Sequence, residues 1–305
     1  MIDQPGVAGS QAVKGGSIIS LASDYLSMTK PPIIILLVIT ALGAMFLAAG
    51  GPPPLVLVIL VCVGGSLGAG GANALNHYLE QDIDSLMSRT RQRPVPGKRI
   101  PPRAALAFGV LLNGLAFALL ALWVNVLAAS LTMAATLFYV LVYTSWLKRN
   151  TPHNIVIGGA AGSIPPLVGW AAVTGSLSLP ALYLFTIIFF WTPPHFWALA
   201  LLIEKDYAQA RIPMLPVVAG RPTTVANIFL YSVVLIPLTL VFALISTVGW
   251  IYLGSAAALG TIFLLFAWQL KRNDSRPRAR KLYLYSLLYL ALLFVAMIAD
   301  TTIGL

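Results

Sequence analysis

The sequence predicts an all-α, polytopic membrane protein that crosses the bilayer nine times, and three observations carry that reading. Of 305 residues, 59% are apolar and only 9% are charged, whereas a soluble domain carries roughly 25% charged residues. The apolar residues fall into nine continuous runs, each close to the roughly 20 residues that a helix needs to cross the hydrocarbon core. All 19 Lys and Arg residues lie near the N-terminus or in alternate connections between these runs. A β-barrel is excluded, because its strands would read as alternating segments of about ten residues.

Taken in order, the runs cover residues 31–49, 54–79, 104–123, 127–147, 154–174, 180–203, 225–245, 248–270 and 282–300. Only a short turn near Asn125 divides the third from the fourth. Residues 1–23 read as a loose cytoplasmic tail ahead of a single membrane domain over 24–305. They lack the charged start, apolar core and small-residue cleavage site of a signal peptide. The one cysteine, Cys62, sits in an apolar run and reads as packing, since it can build neither an intrachain disulfide nor a thiolate metal site.

The connections after the second, fourth, sixth and eighth runs hold 17 of the cations, and Lys14 and Lys30 precede the first run. The opposite connections (GGPPP, Asn125, TGSLS, TVG) hold none. Positive connections stay cytoplasmic, which places the N-terminus in the cytoplasm and the C-terminus on the other side. The formal net charge of +10 is thereby explained by topology and anionic headgroups, and nucleic acid is a poor partner for it.

Charge is scarce, yet NALNHYLEQDIDSLMSRTRQRP gathers three carboxylates and three arginines. At about 100° per residue, with Asn76 at zero, Glu80 falls at roughly 40°, Asn73 at about 60° and Asp84 at about 80°. Asp82 falls at about 240°, off this stripe. Hard oxygens one helical turn apart at a helix end suit Mg²⁺, which takes one or two carboxylates and leaves its other positions to water and phosphate. The plainer reading is a solvated helix end with surface ion pairs worth about 0–1 kcal/mol. Asn73 and Asn76 weigh against it, because amides one and two turns deeper face a cavity more often than water.

A second polar concentration occupies WTPPHFWALALLIEKDYAQARIPM. On a helix running on from Pro193, His195, Leu202 and Asp206 share a face and Glu204 points away from it. Between the two clusters, Lys148 and Arg149 end one run. They serve topology, or bind diphosphate with a point charge and a planar fork. Gly158, Gly159, Gly162 and Gly169 read as close helix approach. Trp146, Trp191 and Trp197 read as interface residues.

These residues carry a family resemblance. The spacing Asn76-x-x-x-Glu80-x-x-x-Asp84 resembles the first Asn/Asp-rich motif of the UbiA-type intramembrane prenyltransferases. Four blocks in the same order are similar to the branch of that family that farnesylates protohaem IX. They are NHYLEQDIDSLMSRTRQRP, YTSWLKRNTPHNIVIGGAAGSIPPLVGWAAVTG, FFWTPPHFWALA and DYAQARIPMLPVV, and the similarity runs from about Tyr25 to the last run. The resemblance implies a nine-helix UbiA-type bundle around a cavity facing cytoplasm and lipid. It implies Mg²⁺ as cofactor, farnesyl diphosphate and haem B as substrates, and haem O and diphosphate as products.

Carried over residue by residue, it implies Asn76, Glu80, Asp84 and Asp206 as catalytic residues. Metal ligands would be Asn76, Glu80, Asp84, Glu204 and Asp206, and diphosphate would meet Arg89, Arg93, Lys148, Arg149 and Lys205. Glu80 stands where many members carry Asp. Leu202 stands in place of the first acid of the second motif, which leaves Glu204 or His195 as its substitute. Of the three histidines, His77, His153 and His195, haem contact is expected of His153 or His195. The implied partners are the bilayer and either a haem A synthase or a second copy of the chain. The rival readings are an aromatic quinone-precursor prenyltransferase, an ion transporter using the acids, and a haem-binding assembly factor.

Overall fold

The computed structural model describes residues 18–303, and among these there is no strand. Most of the expected tail, residues 1–17, lies outside the described residues, and so does the reading against a signal peptide. Residues 18–23 are not tail. They begin a short helix, α1 (Ile18–Thr29), which exposes Ile18, Ile19, Leu21 and Leu26 while burying Met28.

Nine further helices among the described residues are long and apolar enough to span a membrane. They are α2 (Pro31–Ala49), α3 (Leu55–Leu79), α5 (Pro102–Trp123), α6 (Val126–Asn150), α7 (Asn154–Thr174), α8 (Leu179–Leu202), α11 (Gly220–Ile245), α12 (Trp250–Arg272) and α13 (Arg276–Ile303). Three more short helices occur among the described residues: α4 (Gln81–Leu86) after α3, and α9 (Glu204–Gln209) and α10 (Leu215–Val218) after α8. This is a multi-pass, all-α membrane protein. The main departures from the expected spans are at basic ends: α11 starts five residues earlier than the hydropathy run and α13 six. Arg221, Arg276, Arg278, Arg280 and Lys281 thus sit on helix ends, where long cationic side chains reach the interface.

The spans form a ring. α3 packs on α5, α5 on α6, α7 on α2 and α8, α8 on α11, α11 on α12, α12 on α13, and α13 closes back onto α2. Small residues set the tightest seams, as close backbone approach in lipid requires. A Cβ on Gly71 would lie 2.8 Å from the Gly109 carbonyl oxygen, and one on Gly169 would collide with the Ala41 carbonyl. Gly158 and Gly159 likewise abut Tyr143 and Thr192, but Gly162 has open space beside it and faces the interior cavity.

Three local irregularities aim side chains inward. Lys30 adopts a left-handed φ of 55° between α1 and α2, a conformation costing roughly 1–2 kcal/mol for a non-glycine residue. The bend is held where Asn73 Nδ2 donates to the Thr29 carbonyl at 2.9 Å. In α6, residues Phe138–Leu147 wind as a π-helix, a rare form frequent at functional sites. In α8 the helix passes straight through Pro193 and Pro194, which removes two backbone donors from the ladder.

At the far end of the ring from the positive connections, Asp300 of α13 is buried and caps another helix. Its carboxylate accepts from the backbone amides of Gly249, Ile251 (3.0 Å) and Tyr252 (3.2 Å) at the start of α12. Such capping satisfies amides that the helix itself leaves unpaired. Asp300→Ala should lower thermal stability in detergent by about 1–2 kcal/mol, and Asp300→Asn should recover part of it; melting monitored by size-exclusion chromatography measures both.

Candidate active site

A cavity of about 850 Å³ lies inside the ring, near the upper end of the range for small-molecule sites. Its walls come from α2, α3, α6, α7, α8 and α13, with Ser27 of α1, Asp84 of α4 and Tyr207 of α9 also lining it. Helices α5, α11 and α12 contribute nothing to it and act as outer support. Most of the wall is hydrocarbon, including Leu36, Leu37, Val61, Ala69, Val168 and Leu290. Cys62 also lines it, so its thiol borders the chamber and is not simply packing between helices.

One pole is charged. The stripe expected from helical spacing is intact: Asn73, Asn76, Glu80 and Asp84 are all buried and all line the cavity. The α3 helix ends at Leu79 with Glu80 at φ −102°, yet the i to i−4 bonds continue across this joint. The Glu80 amide donates to the Asn76 carbonyl at 2.9 Å and the Asp84 amide to the Glu80 carbonyl at 2.7 Å. Asp82, off the stripe, is outside the cavity and pairs with Arg149.

Each buried carboxylate of this pole has a cation. Lys148 Nζ lies 2.5 Å from Glu80 Oε1, and Arg93 Nη1 lies 2.9 and 2.7 Å from the two oxygens of Asp84. Lys30 Nζ donates to Asn76 Oδ1 at 3.0 Å. Burial alone would raise the Glu80 carboxyl, but Lys148, by charge and hydrogen bond, together with Lys30 and Arg93, holds it below its usual range. Lys30 is pushed down to about 7, first by burial and then by the nearby charges of Arg93 and Lys148. With Arg89, the lining carries four cations (Lys30, Arg89, Arg93 and Lys148) against two carboxylates (Glu80 and Asp84). With Lys30 close to half-charged near neutral pH, the lining still carries net positive charge, which suits a polyanion.

Several expected residues stand elsewhere. Arg149 bonds Asp82 and the Leu79 carbonyl, and Lys205 is exposed, so neither reaches the cavity. The α8 helix stops at Leu202, with Ile203 at φ −122°, and α9 starts afresh. The face expected to join His195, Leu202 and Asp206 is therefore broken. Glu204 is turned to Arg221, 2.9 Å away, which also holds Asp274. Asp206 lies behind the wall, accepting from Ser88 Oγ at 2.8 Å and from the Arg89 amide at 3.4 Å. Among the candidate metal ligands, Glu204 and Asp206 thus do not line the cavity, and Asp206 supports the segment bearing Arg89. Among the histidines, His153 is exposed and outside the cavity, His77 is buried outside it, and His195 lines it. Trp191 and Trp197 are interior residues, not interface ones, while Trp146 is exposed.

Sequence reasoning missed Lys30, which looked like one more topological cation. It also missed Tyr139, Tyr143 and Tyr207, which line the cavity. Burial pushes the Tyr207 phenol up to about 12, so it stays neutral beside the cationic pole. The available signal was Lys30-Pro31 at the start of a span; the tyrosines gave none, because aromatic residues in apolar runs are ordinary.

The donor set fits Mg²⁺. Glu80, Asp84 and Asn76 offer hard oxygens one turn apart, facing a single space. Among the described residues no three His, Cys, Asp or Glu side chains converge into a metal cage. An ion that binds through one or two carboxylates and completes its shell with water and phosphate needs none.

The family model for UbiA prenyltransferases matches residues 37–297. A protoheme IX farnesyltransferase of Synechocystis is 50% identical over 92% of this chain and 90% of its own length. One of Roseiflexus castenholzii is 51% identical over 99% of this chain, which spans only 56% of that relative. Among solved structures, digeranylgeranylglyceryl phosphate synthase superposes with a TM-score of 0.75 at 18% identity, covering 94% of this chain and 100% of that one. A UbiA homologue from Archaeoglobus fulgidus bound to GPP and Mg²⁺ gives 0.65 at 16% identity, covering 90% and 99%. The ring of spans, the match over most of its length and relatives at half identity lead to one conclusion: the chain belongs to the UbiA prenyltransferase family.

Proposed function

We propose that this chain transfers the farnesyl group of farnesyl diphosphate to a vinyl group of haem B, giving haem O and diphosphate. The observation that carries the reading is a buried, net-positive pole with Glu80, Asp84 and Asn76 at its centre, opening into a large apolar chamber. The names of the relatives at half identity supply the acceptor.

The chemistry asks three things of the protein. The allylic C–O bond breaks with its electron pair leaving on diphosphate, so negative charge must be stabilised as it develops. Lys30, Arg89, Arg93 and Lys148 are the fixed cations for this. Bound at Asn76, Glu80 and Asp84, Mg²⁺ would supply Lewis-acid neutralisation of the same charge. Lys148 and Arg93 now hold the two carboxylates; with diphosphate bound they would pair with it, and Glu80 and Asp84 would be free to hold the metal.

Second, the farnesyl cation must be kept from water until the vinyl π electrons form the new C–C bond. The hydrocarbon wall does this, and it favours the prenyl chain by about 0.8 kcal/mol per buried CH₂. Third, water then adds to the resulting cation on the haem side chain and loses a proton, leaving the hydroxyl. No covalent enzyme nucleophile is needed. The pole lies at the end of the ring that carries the positive connections, so we read it as cytoplasmic. The proposed partners are the bilayer and either a haem A synthase, which would consume haem O, or a second copy of the chain.

Membranes containing the protein should convert haem B and farnesyl diphosphate to haem O, and EDTA should stop the reaction. Supplying an aromatic quinone precursor in place of haem should give no prenylated product; prenylation of that acceptor alone would overturn the assignment. Asp84→Asn and Glu80→Gln should each cut turnover by about 10²-fold or more with membrane insertion intact on immunoblot. Lys148→Ala and Lys30→Ala should raise the KM for farnesyl diphosphate and lower kcat. Arg149→Ala and Lys205→Ala, outside the cavity, should stay within about threefold of the wild type.

A further inference from the structure

His195 is buried in the chamber wall with its ring clamped on both faces. Trp191 stacks on it at 4.5 Å with an interplanar angle of 15°, and Tyr283 at 5.0 Å and 27°. Its Nδ1 lies 2.7 Å from Ser286 Oγ, which in turn lies 2.6 Å from the Tyr283 carbonyl oxygen. A hydroxyl and a carbonyl attract at that separation only with the proton between them, so the single serine proton points to Tyr283. Ser286 Oγ must then accept from His195, which places the imidazole proton on Nδ1. The Ser286 carbonyl also accepts from Trp191 Nε1 at 2.9 Å, so one residue of α13 anchors both the histidine and the ring stacked on it.

The remaining nitrogen, Nε2, is left as a bare lone pair with no hydrogen bond among the described residues, on a ring that lines the cavity. The other lining residues of α8 and α13 include Ile188, Leu199, Leu287 and Leu290. An acceptor in such surroundings is costly to leave without a partner. Neither Glu80 nor Asp84 lies on α8 or α13, and His195 lies about 10 Å along α8 from its end at Leu202. A neutral imidazole, oriented through its Nδ1–H and offering Nε2 to an apolar chamber, is the arrangement that binds haem iron.

Resting on the haem-farnesylating reading above, we propose that His195 Nε2 is the axial ligand to the iron of the haem acceptor. Ser286 is the positioning residue that fixes its tautomer. His195 therefore does not replace the acid missing at Leu202; it serves the acceptor. The interaction seats the macrocycle and leaves the carbon skeleton of the vinyl group free to react.

Haem B titrated into the purified full chain in nanodiscs, followed by absorption and EPR spectroscopy, tests this. The wild type should give an imidazole-ligated spectrum. His195→Ala should lose it, and added imidazole should restore it. Ser286→Ala should keep the ligand but weaken haem binding about tenfold and shift the spectrum, with Ser286→Thr returning towards wild type. Metal-free protoporphyrin IX, which has no axial position, should bind the wild type and His195→Ala alike, separating lost ligation from lost fold. A haem spectrum in His195→Ala identical to the wild type overturns the proposal while leaving the farnesyltransferase reading intact. Failure of the wild type to bind haem at all overturns both.

Discussion

A charge inside a hydrocarbon slab must be paired or neutralised, because solvation is lost and nothing else replaces it. Around that constraint the interior of this protein is arranged. Glu80 and Asp84 are each only 2% exposed, and each is matched by a cation from a different part of the chain. Lys148 arrives from the end of α6 and Arg93 from the loop after α4, while Lys30 comes from the bend between α1 and α2. Closing these contacts ties three segments into one pole. The same contacts hold the Glu80 carboxyl below its usual range, although burial by itself would raise it.

The pole is not electrically balanced. Four basic side chains face the chamber against two carboxylates, an arrangement that is costly to hold empty and favourable to fill with a multiply charged anion. An oily wall lies directly beside it. A molecule that is anionic at one end and hydrocarbon along the rest satisfies both halves of the cavity at once, and neither a simple ion nor a wholly apolar lipid does. This amphipathic fit ties the electrostatics to the proposed prenyl diphosphate substrate.

The scaffold works by dividing labour among helices. Those that build the wall bear the irregularities: the left-handed Lys30 before α2, the π-helical stretch of α6 and the two prolines within α8. The helices that stand outside, α5 and α12, are regular, and α11 carries one internal proline, Pro237. Strain at functional positions persists when surrounding packing over-determines it. Here that packing includes glycine seams such as Gly71 against Gly109, and Gly169 against Ala41.

What the chain determined by itself was whatever depends on local periodicity. Nine spans follow from nine apolar runs. The Asn73, Asn76, Glu80 and Asp84 stripe follows from 100° per residue, because hydrogen bonding continues through the joint at Glu80. The family resemblance added the expectation of a single central cavity. Where the helix stopped, the same arithmetic failed. Beyond Leu202 the chain restarts as α9, so Glu204 turned to Arg221 and Asp206 to Ser88, and neither lines the cavity. Tertiary structure alone decided which cations face inward, since Lys148 and Arg149 are adjacent in sequence yet one enters the chamber and the other pairs with Asp82 outside. It also decided that His195 meets Ser286, 91 residues away. Periodicity fixes the direction of a side chain within one unbroken helix; the partner it finds there depends on how distant helices pack.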